Sequence, residues 1–206
     1  MYINTILEET HKLLNSFNED SLPQDTYLAG GSAISLQLGH RKSIDLDFFT
    51  RHEFNEDQWI QKLEKSYSLE LFSKDWQTII GDIESVKFSL FYYKYPLIKN
   101  LTPFENIKLA SLEDLAAMKL DTVMSRGTKR DLVDIYFLAQ KFGLDNLYKF
   151  YNQKFGNFEK REIMIKKALI YFDDAENDVE PNILVEFNWN GLKKYFVKNV
   201  KLSCLS

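Results

Sequence analysis

One stretch of the chain, residues 27–50, constrains the fold more than any other. Its residues predict a strand, a glycine turn, a short helix, a basic turn and a second strand, in that order. Gly30 and Gly31 precede Ser32 at the expected N-terminus of the helix, where unpaired N–H groups and a partial positive charge can hold a phosphate. Because glycine has no Cβ, the backbone can approach such a ligand closely. The stretch therefore predicts a phosphate cradle.

Two aspartates lie on the second predicted strand. Asp45 and Asp47 are separated only by Leu46, and residues two apart on a strand point to the same face. We expect Ile44, Leu46 and Phe48 to face the core and the two carboxylates to face the other way. A Gly-Gly-Ser turn alone is usually only the cap of a helix. A pair of acids on a strand alone is usually only part of a solvated face. Their order and spacing together predict a site for Mg²⁺ that carries a nucleotide.

The composition excludes several classes of protein. The chain has 206 residues, of which 45% are hydrophobic, enough for one large domain or two small ones with a sizeable core. Its formal net charge of −4 means that any contact with nucleic acid needs a local basic patch. Cys204 is the single cysteine, which excludes an intrachain disulfide and fits a reducing cytoplasm. No apolar run reaches transmembrane length, and the first ten residues do not resemble a signal peptide.

Hydrophobic periodicity predicts different elements in the two halves of the chain. The first half is expected to add helices over residues 3–17 and 54–66 and strands over 69–73, 76–80 and 84–93, with a turn at Gly81 and Asp82. The second half is expected to contain helices over 111–126, from 129, and over 144–155, 158–171 and 189–201, with a solvated acidic loop over 172–181. The fold class is therefore α/β (α+β), with a small mixed sheet and flanking helices over 1–102. A helical domain over 103–206 is expected to complete the active-site cleft.

The helix predicted over residues 111–126 carries a lysine where an apolar residue is expected. Lys119 lies within the apolar face, and Arg126 lies on the same side. Since an unpaired buried ammonium is costly, such a departure from the pattern is typical of a functional site. The pattern leaves open a second reading, in which Lys119 reaches solvent at the rim of the helix. On the next helix, Asp134 is placed to pair with Lys119 or Arg126, and Asp131 to stabilise the helix start.

Two blocks of this sequence resemble a known family. Gly31-Ser32, followed after twelve residues by Asp45-Leu46-Asp47, resembles the signature of the nucleotidyltransferase superfamily. The longer string over residues 29–49 resembles, more narrowly, the AbiEii/AbiGii toxin family. Residues 115–135 resemble the second conserved block of that family. The resemblance covers nearly the whole chain.

The resemblance implies a nucleotidyltransferase-like fold and a set of site residues. The glycine cradle would hold the triphosphate of an NTP, the two aspartates would bind Mg²⁺, and the buried lysine would serve the phosphates. Arg41, in the basic turn, is a further candidate for a phosphate contact, although such turn residues are more often only solvated. The nucleotide-binding candidates are Gly30, Gly31, Ser32, Arg41, Lys119 and Arg126. The catalytic candidates are Asp45, Asp47 and Lys119, and the candidate metal ligands among them are Asp45 and Asp47. The candidate supporting residues are Asp131 and Asp134.

The resemblance also implies a reaction and a biological role. The reaction is transfer of a nucleoside monophosphate from Mg-NTP to an acceptor hydroxyl on tRNA, another RNA or a protein. The role is that of the toxin in a type IV toxin–antitoxin or phage abortive-infection system. The implied partner is a cognate antitoxin, which in this family is commonly a neighbouring DNA-binding protein.

One departure from the superfamily pattern keeps alternatives open. Many nucleotidyltransferases carry a third carboxylate on a strand such as the one predicted over 84–93, but this strand offers Lys87 and Ser89. The main alternative is a non-catalytic nucleotide-binding sensor or interaction subunit with the same fold. A third reading is a small-molecule adenylyltransferase, such as one that acts on aminoglycosides.

Overall fold

A computed structural model describes residues 1–18 and 20–200 of the chain. The described part folds into two compact units, which divide between Ser111 and Leu112. The predicted domain boundary at residue 102 stays a prediction. Residue 201, where the last predicted helix ends, and Cys204 lie outside the described residues. Within the described ranges, no helix is both long enough and apolar enough to cross a bilayer.

Within the described residues, a seven-stranded mixed sheet forms the centre of the first unit. Its strands are β1 Tyr27–Ala29, β2 Leu46–Thr50, β3 Leu69–Asp75, β4 Thr78–Ile83, β5 Val86–Tyr92, β6 Thr102–Phe104 and β7 Ile107–Leu109, in the order β3-β4-β5-β2-β1-β7-β6. Strand β2 pairs in parallel with β5 and antiparallel with β1, and β1 pairs in parallel with β7. The predicted mixed sheet is confirmed. The sequence patterns do not predict strands β6 and β7.

The helices of the first unit follow the predictions except at the start of the chain. They are α1 Glu8–Ser16, α2 Gly30–Leu38 and α3 Glu56–Ser66, with a 3₁₀ helix over Ile3–Thr5. The single helix predicted over residues 3–17 is wrong, because Leu7 is extended and separates the 3₁₀ turn from α1. Helix α1 begins instead at Glu8 and Glu9, where the helix dipole favours acidic residues.

Strand β2, which carries Asp47, is fully buried on one face and half-buried on the other. In β2, Leu46, Phe48 and Thr50 are buried, whereas Asp47 and Phe49 are half-buried. Strand β5 alternates in the same way, with Val86, Phe88 and Leu90 buried. The expectation that Ile44 shares the core face is wrong. Ile44 lies before the start of β2, where the strand alternation does not yet apply, and it is 45% exposed.

The turn predicted at Gly81 and Asp82 is also wrong. Both residues lie inside β4, and the turn into β5 is formed by Glu84 and Ser85, at φ of 50° and 65°. Gly81 faces a bulge in β3, where a Cβ would lie 2.4 Å from the carbonyl oxygen of Glu70. The close approach of two strands, rather than a turn, therefore requires this glycine.

The described part of the second unit is helical, as predicted. Its helices are α4 Leu112–Val123, α5 Lys129–Phe142, α6 Leu144–Phe155, α7 Phe158–Ile170, the short α8 Asp173–Glu176 and α9 Trp189–Asn199. Helix α4 packs against α5, α6 and α7. It ends at Val123, before the predicted end at Arg126, and Thr128 then caps α5 by accepting the backbone N–H of Asp131. The predicted fold class is confirmed.

The acidic loop over residues 172–181 is bonded to its surroundings rather than merely solvated. Glu180 pairs with Nζ of Lys129 at 2.5 Å, and Lys129 is only 3% exposed. Glu176 accepts a hydrogen bond from Nζ of Lys193 at 2.6 Å, and this bond is the largest influence that holds the pKa of Glu176 below its ordinary value. The loop is thus tied to α5 and to α9.

Candidate active site

The glycine pair packs directly against the segment that carries the aspartates. Helix α2 begins at Gly30, earlier than the predicted start at Ser32, and Gly30 has a φ of +66°. A Cβ on Gly30 would lie 2.3 Å from Oδ2 of Asp47, so the carboxylate fills the space that a side chain would need. A Cβ on Gly31 would lie 2.4 Å from Nη2 of Arg41. Each glycine therefore allows a close approach by a charged side chain.

Ser32 is buried, and its hydroxyl is directed at the segment before β2. The hydroxyl donates a hydrogen bond to the backbone carbonyl of Asp45 and lies 3.0 Å from Oγ of Ser43. In this structure Ser32 therefore fixes the backbone next to a candidate metal ligand. Ala29, the N-cap of α2, has no side-chain acceptor and so cannot cap the helix itself. N–H groups in the first turn of a helix are donors of the kind that can hold a phosphate.

Arg41 is brought to the same place. Its side chain is buried, with 4% of the residue exposed, and Nη2 lies against Gly31. Its Nη1 donates to the backbone carbonyl of Lys42 at 2.9 Å. The first unit thus gathers the predicted cradle, the arginine and the two aspartates within one group of adjoining segments.

The two aspartates differ in how the sheet holds them. Asp47 lies in β2, in register with Ala29 of β1 and with Ser89 of β5, whereas Asp45 lies immediately before the strand. Both are half-buried. Ser89 occupies the place beside Asp47 where a third carboxylate was sought. Among the described residues, no group of three or more Asp, Glu, His or Cys side chains is arranged to hold a metal ion.

The available donors fit a magnesium ion that arrives with a nucleotide. Mg²⁺ commonly takes one or two protein carboxylates and completes its coordination with substrate phosphates and water. Asp45 and Asp47 would supply those carboxylates. The approach of Gly30 to Asp47 places the N-terminus of α2 beside a carboxylate, so the candidate donors for phosphate lie next to a candidate ligand for a cation.

In the second unit, Lys119 is buried between two carboxylates. Its Nζ lies 2.7 Å from Oδ1 of Asp131 and 2.9 Å from Oδ2 of Asp134, and its side chain is 8% exposed. The ion pair expected between Asp134 and Lys119 is present. The alternative reading, in which Lys119 reaches solvent at the helix rim, is wrong because the ammonium is neutralised inside the helical unit.

Asp131 connects this buried lysine to the surface. Its Oδ2 accepts a hydrogen bond from Oγ1 of Thr128 at 2.6 Å and lies 3.3 Å from Nε of Arg126, whose side chain is 62% exposed. Burial alone would raise the pKa of Asp131. The Lys119 ammonium is the strongest opposing influence, the hydroxyl and the guanidinium add to it, and the pKa lies below its ordinary value of 3.8. Asp131 therefore stays ionised at neutral pH.

The sequence patterns missed a second buried ion pair in the same unit. Nζ of Lys154 lies 2.7 Å from Oδ1 of Asp114, and both side chains are 0% exposed. Asp114 reads as an ordinary acid in the first turn of α4, and Lys154 as an ordinary base in the last turn of α6. The available signal was that Lys154 shares a helical face with Leu147 and Tyr151, both of which are buried.

Comparison with known proteins supplies a family for this geometry. The family model described as nucleotidyl transferase AbiEii toxin, type IV TA system, matches residues 12–96 and 87–199. The chain belongs to the AbiEii family of nucleotidyltransferase toxins. This AbiEii-family chain is 38% identical over 188 residues to an uncharacterized protein of Aquifex aeolicus, in a match that covers 86% of this chain and 87% of the relative.

Two solved structures share the fold. MenT4, a nucleotidyltransferase toxin of Mycobacterium tuberculosis, superposes with a TM-score of 0.59 at 13% identity, over 93% of this chain and 81% of its own. The antibiotic-resistance factor ANT(2'')-Ia superposes with a TM-score of 0.54 at 14% identity, over 77% of the AbiEii-family chain and 94% of its own. These identities are too low to transfer a substrate, but the nucleotidyltransferase-like fold that the sequence predicted is confirmed.

Proposed function

We propose that this AbiEii-family chain transfers a nucleoside monophosphate from an NTP to an acceptor hydroxyl. The observation that carries the proposal is the contact between the backbone at Gly30 and the carboxylate of Asp47, because it joins a helix N-terminus to a candidate metal ligand. The N–H groups of α2 would bind the triphosphate, with Arg41 beside them. Membership of a nucleotidyltransferase family supports this reading.

In the proposed reaction, the acceptor oxygen forms a bond to the α-phosphorus of the NTP. The bond between the α-phosphorus and the oxygen that bridges it to the β-phosphate breaks, so that pyrophosphate leaves, and the hydroxyl proton is released. Asp45 and Asp47 would hold Mg²⁺, which when bound neutralises phosphate charge and acts as a Lewis acid. Lys119 is paired with two carboxylates. It would stabilise the negative charge that develops as pyrophosphate leaves, with Arg126 as a second cation.

The biological role that we propose is that of a toxin in a type IV toxin–antitoxin or phage abortive-infection system. The matched family is described as a toxin of a type IV toxin–antitoxin system, which supports the first of these roles. We propose RNA, tRNA included, or a protein as the acceptor and a cognate antitoxin as the partner.

Radiolabel transfer tests this function. The protein is incubated with each α-³²P-labelled NTP, Mg²⁺ and total cell extract, and the RNA, protein and small-molecule fractions are counted. We expect label in one macromolecular fraction and a loss of about 10³-fold in Asp45→Ala and Asp47→Ala, because the phosphate charge is no longer neutralised. Asp57→Ala is the matched control, since Asp57 is an exposed aspartate of the same unit. Undiminished labelling by Asp47→Ala would contradict the mechanism.

One observation favours a second candidate function, a nucleotide-binding sensor or interaction subunit. Ser89 stands beside Asp47 where a third acid was expected. This candidate predicts NTP binding that depends on Asp47, together with no label in any fraction. Label confined to small molecules would instead indicate an adenylyltransferase for a small acceptor.

A further inference from the structure

We propose that residues 2–5, here named the strap, act through Ser43 to position Asp45 and so set the affinity of the site for a divalent cation. The proposal rests on the proposed function in one respect, that Asp45 is a metal ligand. It goes beyond that function because it assigns a role to residues that are not among the candidate nucleotide-binding or metal-binding residues. The observation behind it is a chain of buried hydrogen bonds that runs from the strap to the backbone of Asp45.

The first part of this chain joins the strap to the segment before β2. The backbone N–H of Ser43 donates to the carbonyl oxygen of Thr5 at 2.9 Å. Oγ of Ser32 lies 3.0 Å from Oγ of Ser43 and donates to the carbonyl oxygen of Asp45. Thr5 is 0% exposed and Ser43 is 8% exposed, so water competes little for these bonds and they hold a defined geometry.

The other end of the strap is attached to α2. The N–H of Tyr2 donates to the carbonyl oxygen of Leu36 at 2.8 Å, and the Tyr2 ring lies against Gly39, where a Cβ would be 2.6 Å from Cδ1. Oγ1 of Thr5 donates to the carbonyl oxygen of Tyr2 at 2.7 Å and closes the 3₁₀ turn between the two attachments. The strap therefore links the last turn of α2 to Ser43.

Asp45 depends on such links more than Asp47 does. Asp47 lies within β2 and is in register with neighbours on both sides, so the sheet fixes its backbone. Asp45 precedes the strand. Of its two neighbours in the chain, Leu46 is buried whereas Ile44 is 45% exposed, so apolar packing anchors Asp45 on one side only. Hydrogen bonds outside the sheet therefore help to fix its backbone on the other side, and loss of a partner that orients a metal ligand typically costs about 10–100-fold in metal affinity.

Direct binding of Mn²⁺ to the full chain, followed by the electron paramagnetic resonance signal of the unbound ion, tests the proposal without relying on activity. Ser43→Ala removes the oxygen that Ser32 contacts, and Thr5→Val removes the bond to Tyr2 while keeping the shape of the side chain. We expect each variant to bind Mn²⁺ about tenfold more weakly than the wild type. Ser43→Thr keeps the hydroxyl, and we expect it to bind as the wild type does.

Thr26→Val is the matched control. Oγ1 of Thr26 donates to the carbonyl oxygen of Pro23 at 2.6 Å, the same kind of bond as in the strap, but at the end of β1 away from Gly30. Thermal unfolding of every variant measures how much the lost bond contributes to stability, separately from its effect on Mn²⁺ affinity. We expect Thr26→Val to lower the unfolding temperature as much as Thr5→Val does, with unchanged Mn²⁺ affinity.

Three outcomes separate this proposal from the proposed function. Unchanged Mn²⁺ affinity in Ser43→Ala and Thr5→Val would overturn the strap proposal alone. Absence of Mn²⁺ binding by the wild type, with and without NTP, would overturn both proposals. Binding that depends on the strap, in a protein that transfers no nucleotide to any acceptor, would support the strap and overturn the proposed function.

Discussion

Two lysines of the second unit are buried with different partners. Lys154 pairs with the carboxylate of Asp114, and neither side chain reaches solvent. Lys119 lies between two carboxylates of α5, and its cluster continues to the exposed side chain of Arg126. A buried ion pair contributes little net stability compared with apolar residues of the same size. Burial of a charge therefore does not by itself indicate function, and the connection of the Lys119 cluster to the surface is what separates the two sites.

The largest expected effect separates the two lysines by activity. Lys119→Met and Lys154→Met each remove a buried ammonium from the carboxylates that it pairs with, so we expect each to lower the free energy of unfolding by about 3–5 kcal/mol. If Lys119 stabilises the departing pyrophosphate, Lys119→Met will lower the transfer rate by about 100-fold or more. Lys154→Met should leave the rate per folded molecule within about threefold of the wild type. Denaturant unfolding gives the folded fraction of each variant, by which its transfer rate is corrected. Equal losses of rate in the two variants would contradict the proposed difference between Lys119 and Lys154.

A double replacement sharpens the same comparison. Asp114→Leu combined with Lys154→Met exchanges a buried ion pair for apolar contacts, and we expect stability within about 1–2 kcal/mol of the wild type. Activity should be retained because neither residue acts on the substrate. The two single variants complete a double-mutant cycle, measured by urea unfolding. Loss of transfer in a stable double variant would show that this ion pair also serves the reaction.

Acid stability offers a test of the Lys119 cluster alone. The pKa of Asp131 is lower in the folded chain than its ordinary value of 3.8. Its contribution to stability is therefore present above that value and is lost as the pH falls through the folded-state pKa. We expect Asp131→Asn to be less stable than the wild type at pH 7 and to lose less stability on acidification below about pH 4. Urea midpoints measured from pH 7 to below about pH 4 give the stability of both proteins. If the stability of the two proteins fell in parallel with pH, the lowered pKa of Asp131 would be contradicted.

The smallest effect is expected at the exposed end of the cluster. The Arg126 side chain is 62% exposed, so its contact with Asp131 at 3.3 Å should contribute less than about 1 kcal/mol. Arg126→Gln should therefore change urea stability little, and should lower transfer by about tenfold if the guanidinium contacts phosphate. Lys74→Gln, which breaks an exposed pair with Asp57, is the control. An unchanged transfer rate in Arg126→Gln would show that Arg126 does not act on the phosphates and would leave Lys119 as the proposed cation.

The sequence predicted those parts of the molecule in which a local pattern and the tertiary structure agree. Lys119 was detectable because a cation interrupts an apolar face. The sequence allowed Asp134 to pair with Lys119 or with Arg126, and the structure shows the pair with Lys119. Asp114 was missed because an acid in a first helical turn already satisfies a local rule. Ser43 was missed because a serine before a strand is ordinary, and its bond to Thr5 arises only from the tertiary fold.

The errors in the sheet have similar causes. Gly81 was read as a turn because glycine is common there, whereas the structure uses it opposite a bulge in a strand about ten residues away. Strands β6 and β7 have three residues each, and β6 contains Pro103. Such segments are too short to show an alternating pattern, so only their pairing reveals them as strands.

The pairing of β1 with β7 has a consequence for the order in which the protein is made. Leu28 pairs with Leu109, about eighty residues later in the chain. At a synthesis rate of about 5–20 residues per second, roughly 4–16 s pass between the two strands. During that interval Asp45 and Asp47 already exist in the nascent chain, but the strand that completes the sheet beside β1 does not. The delay between the synthesis of the toxin's acids and the completion of its sheet is therefore set by the speed of the ribosome.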